Sequence, residues 1–341
     1  MAVQVWQNDL SDLASLELLT RSAEQTVFLG RPALRLDGLA LVPGLELLDG
    51  SIEVSIAAEG PCYPGIAFGV RDAANYELAY AVPHCSGQSD AIQYDPVFHG
   101  SNTWQLYHGP CYQQTAAVPT GEWFTLRIHV NAGRASIQLD DSPPLVVDQL
   151  AHPHLPGQVG LWTYRPALFA GLRILSNGHP VGQASPLPSL SPGTVREWFM
   201  EGYGPLQTEA GGFLNLNRYF PATLGEAVLT RRFELVTACP VTFGFGFSDE
   251  LSLWVDGQEC YGGANLFKGF DSYADRGWVR QNAQSVTLPL QPGIHELKAR
   301  LKVREGFGWG LNLQAQAESA VPFVTAAGPG MRWLPATRGS G

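Results

Sequence analysis

Basic residues are scarce in this chain, and most of them are spread singly along it. The 341 residues include 21 Lys and Arg against 31 Asp and Glu, a formal net charge of −10. A nucleic-acid surface needs a basic stripe to neutralise phosphates, and scattered cations do not supply one. We therefore expect no nucleic-acid partner.

Long apolar runs are missing as well. The N-terminus, MAVQVWQNDLSDLASLELL, lacks a basic segment followed by an unbroken apolar core and a small-residue cleavage site, so no secretory signal is visible. No run approaches the length of a membrane span. The sequence predicts a cytoplasmic protein as written, or an extracellular one if a leader was removed ahead of the first residue.

The CxxC spacing of common zinc sites does not occur among Cys62, Cys85, Cys111, Cys239 and Cys260. The first three lie in Gly- or Pro-containing loops that can gather at one end of a sandwich. Bridges between Cys85 and Cys111, Cys62 and Cys111, or Cys239 and Cys260 stay open beside five reduced thiols, because spacing does not fix connectivity.

Glycine and proline are abundant, with 38 and 25 residues, while 45% of the chain is hydrophobic. Glycine and proline at this frequency interrupt long helices, whereas the hydrophobic residues are enough to form a buried core. We therefore predict an all-β protein. One short helix is predicted over Asp9–Ser22, with Asp9 or Ser11 as its cap. Short apolar or alternating runs predict strands at 50–58, 65–70, 75–82, 123–130, 134–139, 157–162, 228–236, 241–247, 251–256, 284–290, 294–303 and 308–316.

The length suits two domains, and a Pro-rich stretch, SNGHPVGQASPLPSLSPGT, reads as a linker or surface strap between them. No motif repeats at a fixed period, so two different sandwiches are expected. The predicted divisions are an N-terminal segment 1–25, a first sandwich 26–175, the linker 176–194, a second sandwich 195–318 and a tail 319–341.

Four segments of the first half carry a family resemblance: LDGLALVPGLELLDGSIEVSI, the block from YELAY to WQLY, GEWFTLRIHVNAGRASIQLDD and LPGQVGLWTYRPALFAGLRI. In this order they resemble the concanavalin A-like lectin/glucanase superfamily, in particular its laminin-G-like and 3-keto-disaccharide-hydrolase-like jelly rolls. The second half, through FGFGFSDELSLWVDGQEC and PGIHELKARLKVREGFGWGLNLQ, resembles a galactose-binding-like accessory jelly roll. The resemblance implies two jelly-roll β-sandwiches in tandem and a saccharide-related function.

The stretch Tyr76–Tyr107 concentrates aromatic and polar residues. Sugar rings pack on aromatic planes, and their hydroxyls need polar partners, so this block is the predicted saccharide site. Strand alternation places Tyr76 and Tyr80 on one face, and about half of the aromatics must be core. The candidate ligand-binding residues are Tyr80, Gln93, Tyr94, Asn102, Trp104, Gln105, Tyr107 and His108, with Tyr112 as a further platform.

A hydrolase or lyase is the alternative to a binding protein. His84 and Asp90 flank one Ser-Gly loop and are the candidate acid/base pair, whereas Asp95 and His99 read more simply as turn residues. The superfamily's paired-acid string, E-x-D-x-x-E, does not occur in the chain. A third possibility is an assembly module in which exposed sheet edges join copies into an oligomer.

No cofactor is required by these readings, although Ca²⁺ is an open candidate because laminin-G-like rims bind it through loop acids. The loop acids of the right type are Asp72, Asp90, Asp140 and Asp141. A secondary candidate site in the second half comprises Asp249, Glu250 and Trp254, with Asp271, Tyr273, Asp275, Arg276 and Trp278 in a long 257–283 loop.

Overall fold

The computed structural model describes residues 3–176, 180–318 and 330–337. In these ranges the chain is built from antiparallel strands, and helical structure is confined to 3-10 turns of three or four residues. The all-β prediction is confirmed. Within the same ranges, no helix combines the length and the apolar character needed to span a bilayer. The chain divides into two compact units, 1–186 and 187–341.

The strands of the first unit are β1 Val3–Asn8, β2 Glu17–Phe28, β3 Arg31–Leu47, β4 Gly50–Ala57, β5 Gly65–Asp72, β6 Asn75–Ala81, β7 Ile92–Tyr94, β8 Gln113–Gln114, β9 Trp123–Asn131, β10 Arg134–Leu139, β11 Leu145–Val147 and β12 Gly157–Ser176. Two 3-10 turns, Leu13–Ser15 and Pro83–Cys85, interrupt them. The strands form one hydrogen-bonded sheet in the order β11-β10-β9-β4-β12-β5-β6-β7-β8. In addition, β1 and β3 pair with β12, and β2 pairs with β3.

Burial in the first unit follows the two-residue period of the sequence. In β9, Phe124, Leu126 and Ile128 are buried, and the residues between them are half-buried. Successive side chains of a strand point to opposite faces, which is why the alternating run 123–130 predicted this strand.

Strand β12 changes neighbours along its 20 residues. Its first half, Gln158–Trp162, pairs with β5, and its second half, Leu168–Leu175, pairs with β4. A register shift between Thr163 and Ala167 separates the halves. Because a bulge bends a strand and re-aims its side chains, β12 connects the β5–β8 part of the sheet to the β4–β11 part.

The predicted helix over Asp9–Ser22 is wrong. Only Leu13–Ser15 forms a 3-10 turn, in which the Asp12 side chain accepts a hydrogen bond from the backbone N–H of Ala14. From Glu17 onward the chain is β2, paired along its length with β3. Pairing with a neighbouring strand outweighs the local periodicity, which a 14-residue window of mixed residues specifies only weakly.

Strand β2 lies at an edge of the described sheet, with β3 as its neighbour. Its burial pattern alternates only between exposed and half-buried positions, and Val27 is 67% exposed. At the hairpin tip, Leu29 is 65% exposed and has a positive φ of 50°. This edge is a long, partly apolar surface strand.

The second unit contains a seven-stranded and a four-stranded sheet. Its core joins Leu229, Phe233 and Leu253 of the larger sheet to Phe243 and Leu313 of the smaller one, which makes the unit a sandwich. Its 3-10 turns are Leu216–Arg218, Ala222–Leu224 and Tyr273–Arg276. The strands are β13 Glu197–Met200, β14 Gly204–Gln207, β15 Phe213–Asn215, β16 Glu226–Leu235, β17 Cys239–Ser248, β18 Glu250–Val255, β19 Gln258–Ala264, β20 Gln284–Leu290, β21 Gly293–Lys302, β22 Gly310–Ala317 and β23 Met331–Trp333.

Three predicted segments contain more strand than the sequence indicated. The N-terminal segment 1–25 supplies β1 and most of β2, and the 257–283 loop begins with β19. The tail 319–341 contributes β23, while its residues 319–329 and 338–341 lie outside the described part. A strand of three residues, such as β23, or one with few hydrophobic residues, such as β19, has too little periodicity to be predicted from sequence.

The part of the Pro-rich stretch that ends at Pro186, the last residue of the first unit, is hydrogen bonded to that unit. Arg134 donates a hydrogen bond from Nη2 to the carbonyl of Gly182 (2.9 Å), and the Cys111 thiol donates to the carbonyl of Pro186 (3.2 Å). Residues 177–179 lie outside the described part. The segment is therefore held by side chains of β10 and of the loop before β8.

The cysteine bridges considered above are not formed, since Cys62, Cys111, Cys239 and Cys260 are free thiols. Burial raises the pKa of the Cys62 thiol to about 12. A thiol with so high a pKa is almost entirely protonated at neutral pH and is a poor nucleophile.

Candidate functional site

The candidate site lies where β12 bulges. Residues 164–166 leave the ladder, and Arg165 adopts a left-handed backbone conformation with φ of 69°. Two hydrogen bonds hold this turn: the Thr163 hydroxyl donates to the carbonyl of Arg165 (2.7 Å), and the Tyr63 backbone N–H donates to the carbonyl of Tyr164 (3.1 Å). The turn presents Tyr164 to solvent, where its side chain is 49% exposed.

Five rings meet beside the bulge: Tyr63, Tyr80, His84, Trp162 and Tyr164. The ring centroid of Tyr63 is 4.9 Å from that of His84, 5.8 Å from Tyr164 and 6.0 Å from Tyr80. The centroids of Tyr80 and Trp162 are 5.7 Å apart. Exposure increases from the buried Tyr80, through three half-buried rings, to Tyr164. We call these five residues the aromatic site.

Gly65 lets two of these rings meet. It lies on β5 between Trp162 of β12 and Tyr80 of β6, directly opposite both. A Cβ at Gly65 would come within 2.2 Å of the Ala79 carbonyl oxygen and 2.6 Å of the Tyr80 Cβ. Strands two apart in a sheet are separated by about 9.5 Å. The Tyr80 and Trp162 rings therefore lean toward each other above Gly65, where any side chain would clash with the neighbouring strand.

Asp95 is fully buried beneath the site. Its carboxylate accepts hydrogen bonds from Asn102 Nδ2 (2.7 Å), the Thr103 backbone N–H (2.7 Å) and the Tyr80 hydroxyl (3.3 Å), and another from the Trp104 backbone N–H. Burial raises the pKa of Asp95 from 3.8 to about 7, against the opposing effect of these hydrogen bonds. The carboxylate fastens the 96–104 loop to Tyr80.

The candidate acid/base residues lie next to the site. His84, in the Pro83–Cys85 turn, is hydrogen bonded through Nε2 to the Tyr63 hydroxyl (3.2 Å). Asp90 is buried, and its charge contributes to raising the pKa of Tyr80, for which burial is the main cause. Both residues are thus neighbours of the aromatic site, and their action as a catalytic pair stays a prediction.

A second group of predicted residues lies elsewhere. The centroids of Tyr94, Tyr107 and Tyr112 are 5.0–5.9 Å from one another. The buried Tyr94 hydroxyl donates to Glu77 Oε2 (2.6 Å) and accepts from the Ala151 backbone N–H (2.7 Å). Burial raises the pKa of Tyr94, and Glu77 adds to that effect. Tyr94 and Tyr107 therefore belong to the interior of the unit, and Tyr112 is half-buried beside them.

Register explains the separation of the two groups. Tyr80 is opposite Gln93 on β7, and Ala79 is opposite Tyr94. Residues directly opposite each other share a face, and neighbours along a strand do not. Tyr80 and Tyr94 therefore point to opposite faces of the sheet, and Gln93 is on the Tyr80 face with its Nε2 3.5 Å from the Tyr107 carbonyl oxygen.

The remaining polar candidates differ in exposure. Asn102, Trp104 and His108 are half-buried, whereas Gln105 is fully buried. His99 is exposed in a turn with φ of 49°. Of these residues, Asn102 and Trp104 are tied to the aromatic site through Asp95.

Sequence reasoning missed three members of the aromatic site. Tyr63 follows Cys62 in a Gly- and Pro-containing loop, and Trp162 and Tyr164 lie at and beyond the predicted end of the 157–162 strand. The available signal was the Trp-Thr-Tyr sequence, whose aromatics sit two residues apart and so share a face if the strand continues.

The loop acids proposed for Ca²⁺ lie at separate places. Asp72 accepts from the backbone N–H of Ala74 (2.8 Å), and Asp140 accepts from that of Thr125 (2.7 Å). No cluster of three or more His, Cys, Asp or Glu able to hold a metal ion occurs in the described ranges. The calcium site stays a prediction.

In the second unit, Asp249 is buried and accepts from the backbone N–H groups of Arg304 (2.5 Å) and Glu305 (2.6 Å). Trp254 lies between cations, with Lys298 Nζ 5.6 Å and Arg300 Cζ 5.2 Å from its ring centroid. The side chain of Tyr273 lies outside the described part. Other members of the predicted secondary site are placed as follows: Glu250 on β18 with Arg304, Arg276 over the ring of Phe270, Trp278 buried, and Asp271 exposed.

Comparison with known proteins found no matching family model and no matching curated protein. Among solved structures, the carbohydrate-binding module CBM66 from Bacillus subtilis is 15% identical, with a TM-score of 0.36 over 47% of this chain and 93% of the module. A Bacillus subtilis protein of unknown function with a galectin-like fold is 9% identical, with a TM-score of 0.38 over 50% and 94%. The Bacillus licheniformis β-glucanase is 8% identical, with a TM-score of 0.28 over 51% and 90%. Likeness at this level assigns neither a family nor an activity.

Proposed function

We propose that the first unit binds a saccharide on the aromatic site. The observation that carries the proposal is the graded set of five rings, which runs from buried Tyr80 to exposed Tyr164 across the β12 bulge. Sugar rings stack their C–H faces on such planes, and convergent polar groups fix their orientation. Asn102, held by Asp95, is a polar group at this position.

The hydrogen bonding of Asp95 argues against an acid/base role for this carboxylate, and it leaves His84 and Asp90 as the candidate pair of the hydrolase or lyase alternative. A carboxylate has about four lone-pair sites, and four protein donors already point at this one. A general acid or base must instead reach a substrate atom. Asp95 is therefore a positioning residue for Asn102 and Trp104.

The test measures saccharide binding by calorimetry, after a screen of the full chain against neutral and acidic polysaccharides. Tyr164→Ala removes an exposed ring with little effect on the core, and we expect affinity to fall about five- to tenfold. Tyr203→Ala is the matched control, because Tyr203 is 57% exposed and lies in the second unit. The Tyr203→Ala variant should bind the saccharide with the same affinity as the unchanged protein.

Two results would contradict the proposal. One is a screen without saturable binding to any saccharide, and the other is equal loss from the Tyr164 and Tyr203 variants. New reducing or unsaturated ends after incubation with a bound oligosaccharide would instead favour the hydrolase or lyase alternative, and His84→Gln and Asp90→Asn would then test the catalytic pair.

A further inference from the structure

Two arginines lie close to the exposed ring of the aromatic site, Tyr164. Arg21 Cζ is 5.2 Å and Arg165 Cζ is 5.9 Å from the ring centroid of Tyr164. Each arginine sits at a register irregularity, Arg21 in β2 and Arg165 in β12. Bulges re-aim side chains and recur beside functional sites. The chain thus directs two cations to one place although its net charge is −10.

The two arginines differ in their partners. Arg21 is paired with Asp37 through Nε (3.0 Å) and Nη2. Arg165 is exposed, and among the described residues its guanidinium makes no ion pair and no hydrogen bond. Two nearby acids are already engaged, since Asp37 holds Arg21 and Asp95 is buried among four donors. An exposed guanidinium beside the site therefore keeps all its donors for another molecule.

The backbone at Arg165 supports a functional role. A φ of 69° is unfavourable for a long L side chain, and turns that need it normally use Gly or Asn. The Thr163 hydroxyl holds the strained carbonyl in place. Strain of this kind persists where the surrounding structure imposes it, and it is common at binding sites.

We propose that the saccharide bound at the aromatic site is acidic, and that its carboxylate or sulfate group is bound by the guanidinium of Arg165 beside Tyr164. Arginine's planar fork matches either anion in a bidentate geometry. Arg21 lies near the same ring, but its charge is paired with Asp37. This inference rests on the proposed saccharide site and adds the chemical class of its ligand.

Paired probes test it on the full chain. Oligogalacturonate is compared with its methyl-esterified form, and dextran sulfate with dextran, so that each pair differs in charge. We expect the charged member of one pair to bind at least about tenfold more tightly at low salt, and the difference to shrink as salt rises. The pair that discriminates identifies the group as carboxylate or sulfate.

Variants connect the effect to the residue. Arg165→Gln should abolish the preference for the charged probe, and Arg165→Lys should retain part of it. Arg196→Gln, an exposed arginine of the second unit, is the control and should change nothing. Arg165→Gly relieves the backbone strain, so it should lose the preference while melting no lower than the unchanged protein, an outcome that a purely structural role would not give.

The outcomes separate this inference from the proposed function. If neutral saccharides bind as tightly as charged ones and Tyr164→Ala weakens them, the saccharide site stands and the acidic ligand is wrong. If an acidic probe binds equally to the Arg165→Gln variant, the role of Arg165 is wrong. If no probe or screened saccharide binds, both proposals fail.

Discussion

Asp95 shows how a single residue couples a loop to solution pH. Its pKa in the folded protein, about 7, is above the ordinary 3.8, because burial disfavours the carboxylate. The folded state therefore holds this proton more tightly than the unfolded chain does. The stability that results is complete below pH 3.8 and is lost as pH rises through 7, amounting to about 4 kcal/mol.

We expect Asp95→Asn to remove this dependence. The free energy of unfolding of the unchanged protein minus that of the variant should decrease as pH rises from about 4.5 to 7.5, when both are followed by urea denaturation. Asp141→Asn, at an exposed position, controls for the loss of one carboxyl group. A difference that grows with pH would show that Asp95 titrates in the opposite sense.

The residues of the site were predictable in part. Tyr80, Asn102 and Trp104 followed from the density of aromatic and polar residues between 76 and 107, and the structure brings them to Asp95. Asp95 itself reads as an ordinary turn acid before Pro96. Its burial depends on how the 96–104 loop folds back over β6, which no local pattern encodes.

At the scale of elements, β5 determines whether Tyr80 and Trp162 can touch. Gly65→Ala would place a methyl group against the Ala79 carbonyl and the Tyr80 side chain. We expect this variant to lose about 1–3 kcal/mol of stability and to change the near-ultraviolet circular dichroism of the paired rings. Urea denaturation and the dichroism spectrum measure the two effects.

Gly60→Ala is the matched control, because nothing lies within 4 Å of a Cβ at that position. It should leave both the spectrum and the unfolding midpoint close to those of the unchanged protein. Equal behaviour of the two variants would mean that the close approach over Gly65 is relieved by strand movement.

Elements with strict alternation were the easiest to predict. The 123–130 run forms β9, and 294–303 lies within β21 almost residue for residue. By contrast, the predicted 157–162 strand continues through a bulge to Ser176, and Asp9–Ser22 became a turn and a strand. The course of β12 depends on pairing with β4, far earlier in the chain, and that of Asp9–Ser22 on hairpin pairing with β3, rather than on local preference.

At the scale of the whole molecule, each compact unit has its own buried core. We expect residues 1–186 and 187–341, produced as separate polypeptides, each to unfold cooperatively in urea, and the first to retain saccharide binding. Residues 1–156 are the control, since they lack β12, which pairs with β1, β3, β4 and β5. That fragment should not fold, and a non-cooperative 1–186 fragment would contradict independent folding.

The surface edge of β2 has a consequence for solutions of this protein. An accessible strand with apolar side chains is a template for another strand, and two identical strands aligned antiparallel are related by a two-fold axis. We expect reversible dimers to increase with concentration in sedimentation velocity, and Val27→Lys to suppress them, since Val27 is the most exposed apolar side chain of the strand. A monomer at every concentration would contradict this expectation. Dimerisation would join two copies of the first unit's sheet into one continuous sheet, and each dimer would then carry two aromatic sites.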